Sequence, residues 1–110
     1  MNTDRRSAAR LEILGRVHGQ AVSLGVPVTV REISLGGMAI ETPVPFPLGA
    51  VHEFRLTLGD GSTVLLRAQV VHCRPVGAAG APPQFVSGMH FVDDEPITGQ
   101  SVGDFIQRIR

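Results

Sequence analysis

Glu53-Phe54-Arg55-Leu56-Thr57-Leu58-Gly59-Asp60-Gly61-Ser62-Thr63-Val64-Leu65-Leu66-Arg67-Ala68-Gln69-Val70 decides the fold class of this chain. Phe54, Leu56 and Leu58 alternate with Glu53, Arg55 and Thr57. After the turn, Val64, Leu66, Ala68 and Val70 alternate with Thr63, Leu65, Arg67 and Gln69. Successive side chains of a strand point to opposite faces, so a period of two predicts strands with one buried face. Gly59-Asp60-Gly61 lies between the two runs and supplies the turn chemistry of a β-hairpin.

The same signature recurs on both sides. Val26, Val28 and Val30 alternate with Pro27, Thr29 and Arg31, and Phe85, Met89 and Phe91 fall on one face of a last strand. Residues 43–49, Pro-Val-Pro-Phe-Pro-Leu-Gly, cannot pair inside a sheet and read as a loop. Residues 75–84, rich in Gly, Ala and Pro, read as a flexible hairpin connection. Only the C-terminus has helical spacing: Val102, Phe105, Ile106 and Ile109 fall at i, i+3, i+4 and i+7. Ser101 with Asp104 three residues on suits the helix start, although Gly103 weakens the first turn. Short antiparallel strands and one amphipathic helix predict a mainly β fold, a small β-barrel with the helix packed against it. Closure removes the free edges that a flat sheet of this size would expose.

Composition sets the bounds. A length of 110 residues means one domain with a small core. Hydrophobic residues make up 43% and charged residues 18%, a globular composition. No apolar run is long enough to cross a bilayer. Met1 to Arg10 is polar and basic with no apolar stretch after it, so no signal peptide is expected. A formal net charge of zero argues against wrapping long nucleic acid, which needs a basic surface. All ten basic residues are arginine, and four of them, Arg5, Arg6, Arg10 and Arg16, fall in the first 16 positions. Arginine is planar and bidentate, suited to phosphate oxygens and to stacking on a base. Cys73 is the single cysteine, so no intrachain disulfide forms, and its strand context predicts a buried, inert thiol in a reducing cytoplasm.

Two motifs carry the chemistry. The first is Arg6-Ser7-Ala8-Ala9-Arg10, preceded by Arg5; the second is Glu32-Ile33-Ser34-Leu35-Gly36-Gly37. Arginines so near a chain end are ordinarily a solvated tail, and Ser-Leu-Gly-Gly is ordinarily a turn between strands. Their order and their separation of 22 residues, from Arg10 to Glu32, are more specific. Arg-x-x-x-Arg followed by Asp/Asn-x-Ser-x-x-Gly is the motif pair of PilZ domains, bacterial receptors for the second messenger cyclic di-GMP, and the chain resembles that family over nearly its whole length. Arg6 and Arg10 match the first motif, Ser34 and Gly37 the second, and Glu32 stands where the motif has Asp or Asn.

The resemblance implies a six-stranded antiparallel barrel over residues 12–110, with a C-terminal helix at about 97–110 and a flexible arm over 1–11. It implies a cyclic di-GMP site made of Arg5, Arg6, Arg10, Glu32, Ser34, Gly36 and Gly37. The arm arginines take the phosphates and stack on guanine. Glu32 and Ser34 meet a guanine edge, where a carboxylate accepts N–H donors and a hydroxyl serves either kind of partner. Gly36 and Gly37 permit close backbone approach and positive φ. A glutamate carries its carboxylate about 1.5 Å, one bond, beyond where an aspartate would hold it. Two readings follow. One is a cytoplasmic receptor that passes the signal to an unidentified protein partner, in motility or biofilm control. The other is a degenerate domain that does not bind cyclic di-GMP and acts as an interaction module in motility or envelope machinery. Either is compatible with a monomer or a homodimer.

Other candidates are weaker. His18, His52, His72 and His90 lack metal-ligand spacing, although His72 and His90 are candidates to face each other across neighbouring strands. Asp93-Asp94-Glu95 reads as a solvated turn. Ser34 has no histidine at a recognisable spacing, and Gly36-Gly37 lacks the lysine of a phosphate-binding loop. No catalytic residue, cofactor, metal or membrane insertion is therefore expected.

Overall fold

The computed structural model describes residues 11–12, 17–59, 61–92 and 102–109. The arm motif Arg6–Arg10, with Arg5, lies outside them, as do Arg16, Asp60 and residues 93–101.

Among the described residues, seven strands precede the helix: β1 (Leu11–Glu12), β2 (Val17–Ala21), β3 (Val26–Ile33), β4 (Gly37–Thr42), β5 (Val51–Leu58), β6 (Thr63–Val76) and β7 (Gln84–Phe91), then α1 (Val102–Ile109). They pair in the order β1-β3-β2-β5-β6-β7-β4, and a further β3–β4 pairing closes the ring. Every pairing is antiparallel. β2 to β7 thus form the expected six-stranded closed barrel. β1 adds two residues beside β3, continuing the edge where β2 leaves it, with Leu11 opposite Ile33 and Glu12 opposite Glu32.

The alternating apolar residues fill the barrel. Phe54 and Leu56 of β5, Val64, Leu66, Ala68 and Val70 of β6, and Val28 and Val30 of β3 are all buried in one cluster. The hairpin at Gly59-Asp60-Gly61 closes as expected, with the Leu58 N–H donating to Ser62 O at 2.9 Å and the Gly61 N–H to Leu58 O at 3.0 Å. Phe46, from the proline-rich loop, is also buried: its ring stacks near Phe54 at 6.0 Å and meets the His52 ring edge-on at 5.1 Å. The prolines that keep this segment out of the sheet leave one aromatic residue free to turn inward. Phe105 of α1 is fully buried and Ile106 is partly buried against the core, so the helix packs on the barrel, against β6.

Some expectations shift. The connection expected over 75–84 narrows to 77–83, because Pro75 and Val76 of β6 still pair with Phe85 and Gln84. Gly77 and Gly80, at φ of 105° and 84°, make the turn. Cys73 is half-buried opposite Ser87 rather than fully buried. The helix is described from Val102, and the earlier part of its expected range lies outside the described residues. β2 has no clear signal in sequence, since its inward positions are Val17, Gly19 and Ala21, two of them too small to mark an apolar face. Gly19 is required there: a Cβ at this position would meet the carbonyl oxygen of Arg55 and, at 2.9 Å, the Leu56 side chain.

Candidate functional site

Two β-bulges interrupt the pairing, and both open onto the same part of the outer surface. In β3, Val30 pairs with Ile40 and Glu32 with Ala39, so Arg31 is an extra residue. Val30 and Ile33 both face the core, and the two residues between them, Arg31 and Glu32, both line the cavity outside. In β6, Val70 pairs with Met89 and His72 with Gly88, so Val71 is extra. Val71 and His72 likewise both face out, and the next outward residue is Arg74. A bulge re-aims side chains in this way by placing two residues opposite one.

Between the bulged strands lie β4 and β7, and three of their outward positions, Gly37, Ala39 and Gly88, are small. One register row crosses all four strands: Glu32 (β3), Ala39 (β4), Gly88 (β7) and His72 (β6). The rows beside it hold Gly37 with His90, and Val86 with Arg74. The result is a trough with a floor of Gly37, Ala39 and Gly88. One wall is Arg31, Glu32 and Ser34, and the other is His72 and Arg74. Three strand spacings of about 4.8 Å separate the walls, roughly 14 Å at the backbone. The cavity is open to solvent and encloses about 540 Å³, within the ~300–1,000 Å³ usual for small-molecule sites.

All four motif residues that the structure describes line this one cavity: Glu32, Ser34, Gly36 and Gly37. Ser34 and Gly37 close the β3–β4 turn, with the Ser34 N–H donating to Gly37 O at 2.9 Å. The Ser34 hydroxyl is 3.5 Å from the same oxygen, too long to occupy it fully. The glycines act differently from expectation. Neither has a positive φ. Gly37 is needed because a Cβ there would strike the carbonyl oxygen of Met89, whereas a Cβ on Gly36 would meet nothing within 4 Å. The Phe91 N–H donates to Gly36 O at 2.9 Å and ties the turn to β7.

The other wall escapes the motif. Arg74, His72, His90 and Gly88 line the cavity with Arg31, and none belongs to the expected set. A signal for them exists in the sequence. The apolar alternation of β6 breaks at Val70-Val71-His72, and the charged pair Arg31-Glu32 stands between the core residues Val30 and Ile33. Each is the mark of a bulge. His72 and His90 do not pair across strands: His72 lies opposite Gly88, and His90 opposite Gln69. Among the described residues, no group of three or more His, Cys, Asp or Glu is placed to hold a metal, and no helix is long and apolar enough to cross a membrane. The charged lining is Arg31, Arg74 and Glu32, a balance that favours an anionic ligand with hydrogen-bond donors.

The comparisons agree with this architecture. No curated protein matches the chain. Among solved structures, a PilZ domain of YcgR from Escherichia coli with c-di-GMP superposes with a TM-score of 0.71 at 15% identity, covering 96% of this chain and 92% of that one. YcgR from Escherichia coli in complex with c-di-GMP superposes with a TM-score of 0.70 at 16% identity, again over 96% of this chain but only 46% of the other. At such identity the likeness is one of fold. The family model of the PilZ domain matches residues 4–108, and the chain belongs to the PilZ domain family.

Proposed function

We propose that this domain is a receptor for cyclic di-GMP, which binds in the trough between β3 and β6. The observation that carries the reading is the convergence of Glu32, Ser34, Gly36 and Gly37 on one cavity that also holds Arg31 and Arg74. Family membership supports it, and so does the fold shared with a domain solved with that ligand. A guanine edge meets Glu32 and Ser34, at the turn that Gly36 and Gly37 complete. Arg5, Arg6 and Arg10 reach the phosphates from the N-terminal side. Contact of that segment with the ligand changes the surface presented to a partner protein, which passes the signal on. The domain acts as a receptor and adaptor, not an enzyme, in the bacterial cytoplasm, with motility or biofilm formation as its output.

Glu32 favours a second reading. Its extra methylene displaces the carboxylate relative to the Asp or Asn of the motif, and a domain without a ligand would serve as a constitutive interaction module. Calorimetric titration with cyclic di-GMP separates the two. At ~100 μM ligand, a site with a Kd of ~10 μM is mostly filled and gives saturable heat. No heat at that concentration refutes the receptor. If Glu32→Asp then creates binding where there was none, the second reading stands.

A further inference from the structure

We infer that Arg74, on the β6 wall, is a phosphate-binding residue of the trough, acting opposite Arg31 on the β3 wall. The inference rests on the reading of the trough as a cyclic di-GMP site and adds a contact that the two motifs do not contain.

Four observations place Arg74 there. It lines the same cavity as Glu32, Ser34 and Gly37, although β6 lies two strands from β4 and three from β3 in the sheet order. The Val71 bulge shifts the β6 register, so Arg74 falls outward at the row of Val86, next to the row of His72 and Gly88. The backbone floor of the central row between the walls is Ala39 and Gly88, with the His72 imidazole lying over Gly88, and Arg31 and Arg74 line the cavity on either side. Arg74 is exposed, its guanidinium available to solvent and ligand alike. Glu41 shares its row but does not line the cavity, and Val86 stands between them. A cyclic dinucleotide carries two phosphates on opposite sides of its ring. Two guanidinium groups on opposite walls suit that arrangement, each forming a bidentate, charge-assisted pair with phosphate oxygens. The barrel itself then supplies cations to the ligand, in addition to those of the N-terminal segment.

The test is calorimetric titration of the full chain with cyclic di-GMP, at about 50 and about 300 mM salt, which differ about 2.4-fold in screening length. The variants are Arg74→Ala, Arg74→Lys and Arg31→Ala. Arg74→Ala is expected to weaken binding roughly ten- to a hundredfold at low salt, and to flatten the salt dependence, with the melting temperature unchanged. Arg74→Lys keeps the charge and loses the fork, so it retains the salt dependence but only part of the affinity. Arg31→Ala is expected to behave like Arg74→Ala. If wild type binds and Arg74→Ala binds with the same affinity and salt dependence, the inference is wrong while the receptor reading survives. If wild type itself gives no heat, both fall.

Discussion

The imidazole of His72 lies across Gly88, in the space that any other residue's Cβ would need. A Cβ built on Gly88 would meet Nε2 of His72 and sit 2.6 Å from Cε1 and 2.8 Å from Cδ2. The two residues are direct partners across β6 and β7 and meet at the floor of the trough. His72 is exposed, so its ring can swing away. Gly88→Ala is therefore expected to change stability by less than ~1 kcal/mol, but to push the ring into the ligand space and weaken cyclic di-GMP binding severalfold. Thermal unfolding and titration of one sample check both halves. A large loss of stability with binding intact would contradict this arrangement.

Gly36 and Gly37 are adjacent and are expected to respond in opposite ways. A Cβ on Gly37 would strike the Met89 carbonyl oxygen, with Met89 C at 3.1 Å and His90 Cα at 3.3 Å, all of it backbone in a paired strand. Gly37→Ala is expected to cost ~1–3 kcal/mol, the range for overpacked sites. Gly36 has open space and no positive φ, so Gly36→Ala is neutral or slightly stabilising. Urea denaturation of the two variants decides the point, and the reverse order of stabilities would refute the turn geometry.

Phe105 seals the helix to the barrel. Its side chain is fully buried, while Leu35, at the tip of the β3–β4 turn, is 59% exposed. Phe105→Ala is expected to destabilise by ~3–5 kcal/mol. Leu35→Ala should stay within ~0.5 kcal/mol of wild type. Denaturant midpoints measure both, and a neutral Phe105→Ala would show that the helix does not pack on the barrel.

Ser87 is fully buried on β7, opposite Ile40, and its hydroxyl has no hydrogen-bond partner among the described residues. Burying an unpaired hydroxyl is unfavourable, and its removal leaves only a small gap. Ser87→Ala is expected to be neutral or stabilising by up to ~1 kcal/mol. A loss above ~1 kcal/mol would show that the hydroxyl has a partner.

The barrel was legible wherever large apolar residues alternate, as in β3, β5 and β6, because burial on one face demands that period. β2 was not, since Gly19 and Ala21 face inward beside other strands and leave no hydrophobic pattern. The β3–β4 side of the site was legible from Glu32, Ser34, Gly36 and Gly37, which fall within six consecutive positions. The far wall was hidden because Gly88, His72 and Arg74 reach the trough through strand register and a bulge at Val71, and register is a property of pairing rather than of any one segment. The positive φ expected of Gly36 and Gly37 is absent because the turn needs close approach to Met89 and not a left-handed residue. Arg5, Arg6 and Arg10 lie outside the described residues, and their part in the site rests on the motif they match.

The central claim is that cyclic di-GMP occupies the trough, and amide chemical-shift mapping tests it most directly. Titrating the labelled full chain with cyclic di-GMP is expected to move the backbone signals of Glu32, Ser34, Gly36 and Gly37 on the β3–β4 side, and of Gly88 and His72 on the far side. Signals at Gly25 and Leu24, in the turn between β2 and β3, should stay in place. No shift at ~100 μM ligand, or shifts confined to that turn, would contradict the claim.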